Sequence, residues 1–208
     1  MLLFICAQLF AAESSKEIMI GSVNQESSAT SELGADVLTS FELSGAYGVS
    51  EKLSVVASYG YGGIETSYET PYRESAEDYD SYYYGDVRAF QSAFVQHQLS
   101  VGARYRHTFN DWASVYGKAE GNVALHTVDF APSIRDEDPI SKVSTMGGSF
   151  GGTAALGVMG SFQINEKIPD IFISLEGGYN FLTAASFDSI GDLDLSGGYS
   201  SLGFGLRF

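Results

Sequence analysis

From Phe41 to the end of the chain, apolar side chains alternate with small or polar ones, in one segment after another. In the last segment Leu202, Phe204, Leu206 and Phe208 fall on one side, and Ser201, Gly203, Gly205 and Arg207 on the other. The same two-residue period sets Ile171, Ile173 and Leu175 against Phe172, Ser174 and Glu176, and Leu156 and Val158 against Gly157 and Met159. It recurs over 113–125, 95–106, 53–61 and 40–49. A period of two is that of a strand with two unlike faces, and no helical stripe of three-and-four spacing competes with it. One further segment, Glu17 to Asn24, shows it weakly and would bring the strands to eight.

The connections alternate too. Short ones fall at Ser50–Lys52, Asn110–Asp111 and Gln163–Asp170, and long polar ones at Gln25–Asp36, Glu65–Val87, Ala131–Gly147 and Ser186–Gly197. Strands joined short and long in turn place every long loop at one end, the layout of a transmembrane barrel. The faces agree with it. The mid-strand charges Glu42, Arg104, Lys118, Glu120 and Glu176 all share the face rich in Gly, Ala and Ser, while the opposite face is nearly free of charge. A soluble sandwich or lipocalin would turn a face rich in Lys and Glu to water. Here the small, mixed face suits the interior of a closed eight-stranded barrel, which side chains just fill, and the uncharged face suits lipid. Tyr47, Tyr105, Phe109, Phe162 and Phe208 lie near the short turns, and Phe41, Tyr59, Tyr61, Tyr179 and Phe181 lie well up their strands. Two such levels are the expected interfacial girdles.

A length of 208 residues fits one domain. One cysteine excludes a disulfide scaffold and a multi-cysteine zinc module, and 11 Lys+Arg against 26 Asp+Glu, net −15, exclude a nucleic-acid partner. The apolar run Met1 to Ala12, followed by Glu13-Ser14, predicts a signal peptide over 1–14 that carries Cys6 away, with the barrel domain over 15–208. No Lys or Arg stands before the run, so the leader is expected to begin upstream of Met1.

With Gly203-Phe204-Gly205-Leu206-Arg207-Phe208 at its end and this pattern over 16–208, the chain resembles the eight-stranded outer-membrane proteins: the OmpA transmembrane domain, OmpX, OmpW and the opacity-type proteins. The resemblance implies an all-β, antiparallel, up-and-down barrel with short periplasmic turns and long extracellular loops. Its setting would be the outer membrane of a Gram-negative-type bacterium, among lipid and lipopolysaccharide. It also implies that Leu202, Phe204, Leu206 and Phe208 form the signal read by the barrel-assembly machinery; Tyr199 is one position out of phase with them.

Inside, Arg104, Arg106, Lys118 and Arg207 face Glu42, Glu120 and Glu176. Isolated charges there would each cost several kcal/mol, so they pair or hold water. Two readings stay open: a polar core that fixes register, which the OmpA-like resemblance favours, or a gate whose exchanging partners open a water path. Leu38, Ile64 and Leu182 share the inward phase near the loop end, as an apolar vestibule or as residues above the membrane. His97, His107 and His126 form no Ser-His-acid or metal-spaced set, so no enzyme, cofactor or metal is expected, and Asp192-Leu193-Asp194 reads as a solvated turn.

The negative charge concentrates in the loops. Glu65, Glu69, Glu74, Glu77, Asp78, Asp80 and Asp86 interleave with Tyr68, Tyr72, Tyr79, Tyr82, Tyr83 and Tyr84, and Arg135-Asp136-Glu137-Asp138 follows in the next long loop. Tyrosine gives large amphipathic contact at low entropic cost. The sequence therefore supports an envelope-structural, adhesin-like barrel that meets a host or cell-surface partner through these loops. The alternative is a narrow porin for small solutes.

Overall fold

The computed structural model describes residues 15–28, 30, 37–71, 87–133, 143–163, 168–187 and 191–208, with 65–71, 87–92, 130–133, 143, 144 and 191 as backbone alone. Residues 1–14, assigned above to a signal peptide, lie outside the described residues. So do Tyr72, Tyr79, Tyr82, Tyr83, Tyr84 and the segment Arg135 to Asp138, while Tyr68 is described only by its backbone.

Eight strands close on themselves: β1 (Lys16–Ser27), β2 (Leu38–Gly48), β3 (Leu53–Pro71), β4 (Val87–Asn110), β5 (Ala113–Ser133), β6 (Val143–Phe162), β7 (Asp170–Leu182) and, after a short hairpin of β8 (Ala185–Phe187) and β9 (Gly191–Leu193), β10 (Gly197–Arg207). Neighbours in the chain are neighbours in the barrel, all antiparallel, and β1 seals it by pairing with β10 from Glu17↔Arg207 to Ser27↔Gly197. This is the all-β, up-and-down architecture expected from the alternation. The closing strand was the least legible because its upper outward positions, Ser22, Asn24 and Glu26, are polar, while Val23 points inward.

The faces divide as the pattern requires. Ile20, Phe41, Leu99, Val123, Leu156, Leu175 and Phe204 stand free on the outer wall, whereas Ser44, Ser58, Ser100, Asn122, Thr153 and Ser174 are buried inside. So continuous an apolar surface is far larger than a soluble monomer tolerates, and hydrocarbon is the medium that covers it. The narrow bore also needs small residues where rings cross it. A Cβ on Gly157 would collide with the Tyr116 ring, and one on Gly178 would sit 2.8 Å from Cε1 of Tyr199.

Two features depart from the expected loop boundaries. The segment placed as loop from Glu65 onward continues as strand, with β3 paired to β4 up to Pro71↔Val87 and β4 to β5 up to Ala89↔Ser133. β2 leaves β3 at Thr39↔Gly63. At about 2.4 Å of climb per residue for a tilted strand, β3 rises roughly 19 Å beyond its last partner on that side. The second departure is in the last long connection, which forms the β8–β9 hairpin. Its Ala185, Phe187 and Leu193, with the following Leu195, are buried against Leu38, Ile64, Phe94, Val128 and Leu182 of the barrel. Alternation sets Ala185 and Phe187 on one face of this hairpin but cannot reveal that the face folds back across the mouth.

Candidate functional site: a lumen closed in layers

Four layers fill the bore from the short-turn end upward. In the lowest, Glu17 on β1 gathers three arginines. It accepts hydrogen bonds from Nη2 of Arg104, from Nη1 of Arg106 at 2.6 Å and from Nε of Arg207 at 2.7 Å. The register makes this possible, because Glu17 sits directly opposite Arg207, and both arginines of β4 project inward across the bore. The guanidinium of Arg104 lies 5.5 Å from the Tyr116 ring and that of Arg207 5.7 Å from Phe172, rings that pack with Met159 and Met19. The planar, weakly hydrated guanidinium is the cation suited to such burial.

The second layer inverts the charge. Lys118 on β5 bonds Glu176 at 2.8 Å and Glu120 at 3.1 Å, and Tyr199 donates its hydroxyl to Glu176 at 2.6 Å. Glu42 on β2 faces the same space and lies within electrostatic reach of Lys118, Glu120 and Glu176. Three cations surround one carboxylate below, and three carboxylates surround one cation above. Within these two layers the described charges therefore balance, Arg104, Arg106, Lys118 and Arg207 against Glu17, Glu42, Glu120 and Glu176.

Glu17 was missed in the sequence because its strand was the faint one. A usable signal existed: four inward cations against three carboxylates leave one positive charge unmatched. Glu17 is the acid at the foot of the remaining strand.

Above the charges lies a belt of amides. Asn122 donates to Thr153 at 2.6 Å and to Asn180 at 3.2 Å, Asn180 donates to Gln25 at 3.0 Å, and Gln25 donates to the Leu195 carbonyl at 2.5 Å. The chain of donors thus ties the bore to the loop that covers it. In the top layer His126 bonds Ser149 at 2.8 Å and stacks on Phe94 beneath the apolar hairpin. His97 is on the outer wall, where Nδ1 pairs with the Tyr59 hydroxyl at 2.8 Å, and His107 is exposed beside Phe109. Asp194 caps a turn by accepting from the Ser196 amide at 2.9 Å.

Within the bore two cavities of about 30 and 20 Å³ lie beside Glu42, each with room for little more than a water molecule. The apolar residues Leu38, Ile64 and Leu182, read above as a vestibule or as lying above the membrane, are buried with the hairpin residues and form the underside of its packing. Leu202, Phe204, Leu206 and Phe208 project outward from β10 and its end, and Tyr199 projects inward to Glu176.

No family model and no curated protein matches the chain. Solved structures do. OprG from Pseudomonas aeruginosa superposes with a TM-score of 0.51 at 14% identity, covering 94% of this chain and 95% of that one. This chain has the fold of an eight-stranded outer-membrane barrel. Ail, the attachment invasion locus protein of Yersinia pestis, aligns over 94% of this chain and 97% of its own at 15% identity and TM-score 0.49. Neisserial surface protein A covers 93% and 95% at 12% identity and TM-score 0.46. The fold explains the two-faced strands at once, with hydrocarbon covering the bare wall and the bore keeping the ionic side chains out of it.

Proposed function

We propose that this barrel is a non-enzymatic surface protein that anchors an acidic, tyrosine-rich binding loop in the outer membrane. The observation that carries the reading is the unequal height of the wall. β3 to β6 run for 19, 24, 21 and 20 residues, whereas β1, β2, β7 and β10 run for 12, 11, 13 and 11. A solute pore has no need of a wall raised on one side. A presenting surface does, because the ladder carried up to Pro71↔Val87 raises the two ends of the segment 72–86 above the rest of the rim. The chemistry of that segment, carboxylates interleaved with Tyr72, Tyr79, Tyr82, Tyr83 and Tyr84, suits a basic protein or glycan partner on another cell. The filled lumen argues against the narrow porin.

In this reading Leu202, Phe204, Leu206 and Phe208 serve the barrel-assembly machinery, and the outer wall serves lipid and lipopolysaccharide. The deciding experiment compares cells bearing the intact barrel with cells bearing one shortened by residues 72–86, alongside planar-bilayer recordings of the purified protein. Loss of cell binding on shortening, with an electrically silent barrel, supports the proposal. Undiminished binding by the shortened barrel, or steady single-channel steps from the intact one, overturns it.

A further inference from the structure

We propose that the β8–β9 hairpin is a proton-operated lid, which stays closed over the mouth while His126 is neutral and lifts when His126 takes up a proton. His126 is buried in the top layer of the bore, with 0% exposure. Its Nε2 bonds Ser149 and its ring stacks on Phe94, while Nδ1 has no hydrogen-bond partner among the described residues. An unpartnered buried polar atom is costly, and contact with water removes that cost.

The hairpin is the part of the ring's surroundings that can move away. Gly147 lies opposite His126 in the β5–β6 ladder, and the Phe187 ring lies 2.9 Å from the place a Cβ on that glycine would take. β8 pairs with β9 alone. Apolar packing holds the pair down, together with single bonds from Gln25 to the Leu195 carbonyl and from Ser28 to the Asp194 carbonyl at 3.2 Å. The strands beside the ring, by contrast, are paired on both sides and cannot admit water without unpairing.

Nothing around the closed ring neutralises a charge. Toward it β4 offers Phe94 and Gln96, β5 offers Ala124 and Val128, β6 offers Gly147 and Ser149, and the hairpin with its flank offers Phe187, Leu193 and Leu195. None of these titrates. Gln96 Oε1 lacks a partner and can take a hydrogen, but an amide oxygen cannot balance a cation. The acids of the hairpin, Asp192 and Asp194, are exposed, and Asp129 is one position out of phase with the inward residues of β5. Glu42, Glu120 and Glu176 lie below the amide belt around Lys118. Among the described residues no charged group faces the ring.

A proton on His126 therefore places an unpaired cation against an apolar cluster when the hairpin is down, and a hydrated one when it is up. The open form binds a proton that the closed form excludes. Closure is thus intact above the ordinary imidazole value, near about 6.5, and is lost progressively as the pH falls below it. Lifting bares Leu38, Ile64, Phe94, Val128 and Leu182 as an apolar cup beside the raised wall. The arginine layer stays in place, so acid changes the surface of the mouth and leaves the bore shut.

The test is amide exchange within 183–196, read by mass spectrometry on the full chain folded in detergent and corrected for the intrinsic pH dependence of exchange. Between about pH 7.5 and about pH 5 the opening constant of the hairpin should rise at least about tenfold, with about thirtyfold the limit for one proton on an ordinary imidazole. His126→Asn keeps a polar group for Ser149 but takes up no proton, and should flatten the response. His97→Asn and His107→Asn should leave it unchanged. Should His126→Asn fail to fold, the ring resonances of His126 in the wild type supply the check, since they must titrate with the same midpoint as the opening. Equal opening at both pH values overturns the proposal. So does a response that survives His126→Asn, or a ring that titrates while the hairpin stays closed.

Discussion

The two ends of the lumen are closed by opposite means. At the short-turn end the closure is ionic and built from strands, with Glu17, Arg104, Arg106 and Arg207 each fixed by its place in a ladder of backbone pairs. At the mouth it is apolar and built from a connection, with Ala185, Phe187, Leu193 and Leu195 folded down onto Leu38, Phe94 and Val128. The first cannot open without disturbing the barrel. The second can lift as a unit, since its hairpin of three-residue strands pairs only with itself and is tied to the rim by contacts such as Thr183 with Phe150 and Ser196 with Leu182. Local opening free energies follow such differences in cooperativity.

The largest expected effect tests the ionic end. Glu17→Ala leaves three arginines buried around a missing carboxylate, and breaking a buried pair from one side costs about 3–5 kcal/mol. Urea unfolding of the detergent-folded barrel, followed by its heat-sensitive gel mobility, should show a loss of that size. A loss no greater than that of an exposed control such as Glu51→Ala would mean that the cluster is wet and loose. Removing the hairpin tests the same comparison through function. A barrel lacking residues 184–195 should remain electrically silent, because the arginine layer still closes the bore. Conductance from that deletion alone would show that the mouth was the only barrier.

This contrast also explains what could be read from the sequence. Strand residues obey a period of two, so the inward placement of Glu42, Arg104, Lys118, Glu120, Glu176 and Arg207 followed from the alternation around them. Glu17 obeys the same rule but lies where polar Ser22 and Asn24 occupy outward positions, so its strand could not be phased with equal force. The hairpin keeps the same period, with Ala185 and Phe187 buried on either side of exposed Ser186, but the period does not say what it packs against. Phe187 reveals its role only in three dimensions, where its ring lies 2.9 Å from the place a Cβ on Gly147 would take. The extended upper strands were hidden for another reason: Glu65 to Pro71 is polar enough to read as loop, yet its backbone continues the ladder to β4. Pairing partners, rather than side-chain chemistry, decide where those strands end.

An intermediate effect should come from the mouth. Phe187 is 3% exposed, and its truncation removes the largest side chain the hairpin contributes to the apolar cluster. Phe187→Ala should cost about 3 kcal/mol where the ring is fully packed. Because the hairpin can open by itself, most of that loss should appear as faster amide exchange and protease cleavage within 183–196, with little change in global unfolding. If global stability fell by the full amount instead, the hairpin would be part of the barrel's cooperative unit, and the distinction between the two closures would fail.

The smallest effect concerns a single hydrogen bond in the layer between them. Tyr199 donates to Glu176 at 2.6 Å while its ring crosses the bore over Gly178. Tyr199→Phe keeps the ring and removes the donor, which leaves Glu176 with Lys118 and the Tyr116 hydroxyl as partners. A bond to a charged acceptor is worth about 1.5–3 kcal/mol, so the loss should be near the lower end while Lys118 still neutralises the carboxylate. A double-mutant cycle with Glu176→Gln separates the contributions. If the bond is made, the second substitution should cost less in the Tyr199→Phe background than in the wild type, whereas strict additivity would mean that Tyr199 serves only to fill the space above Gly178.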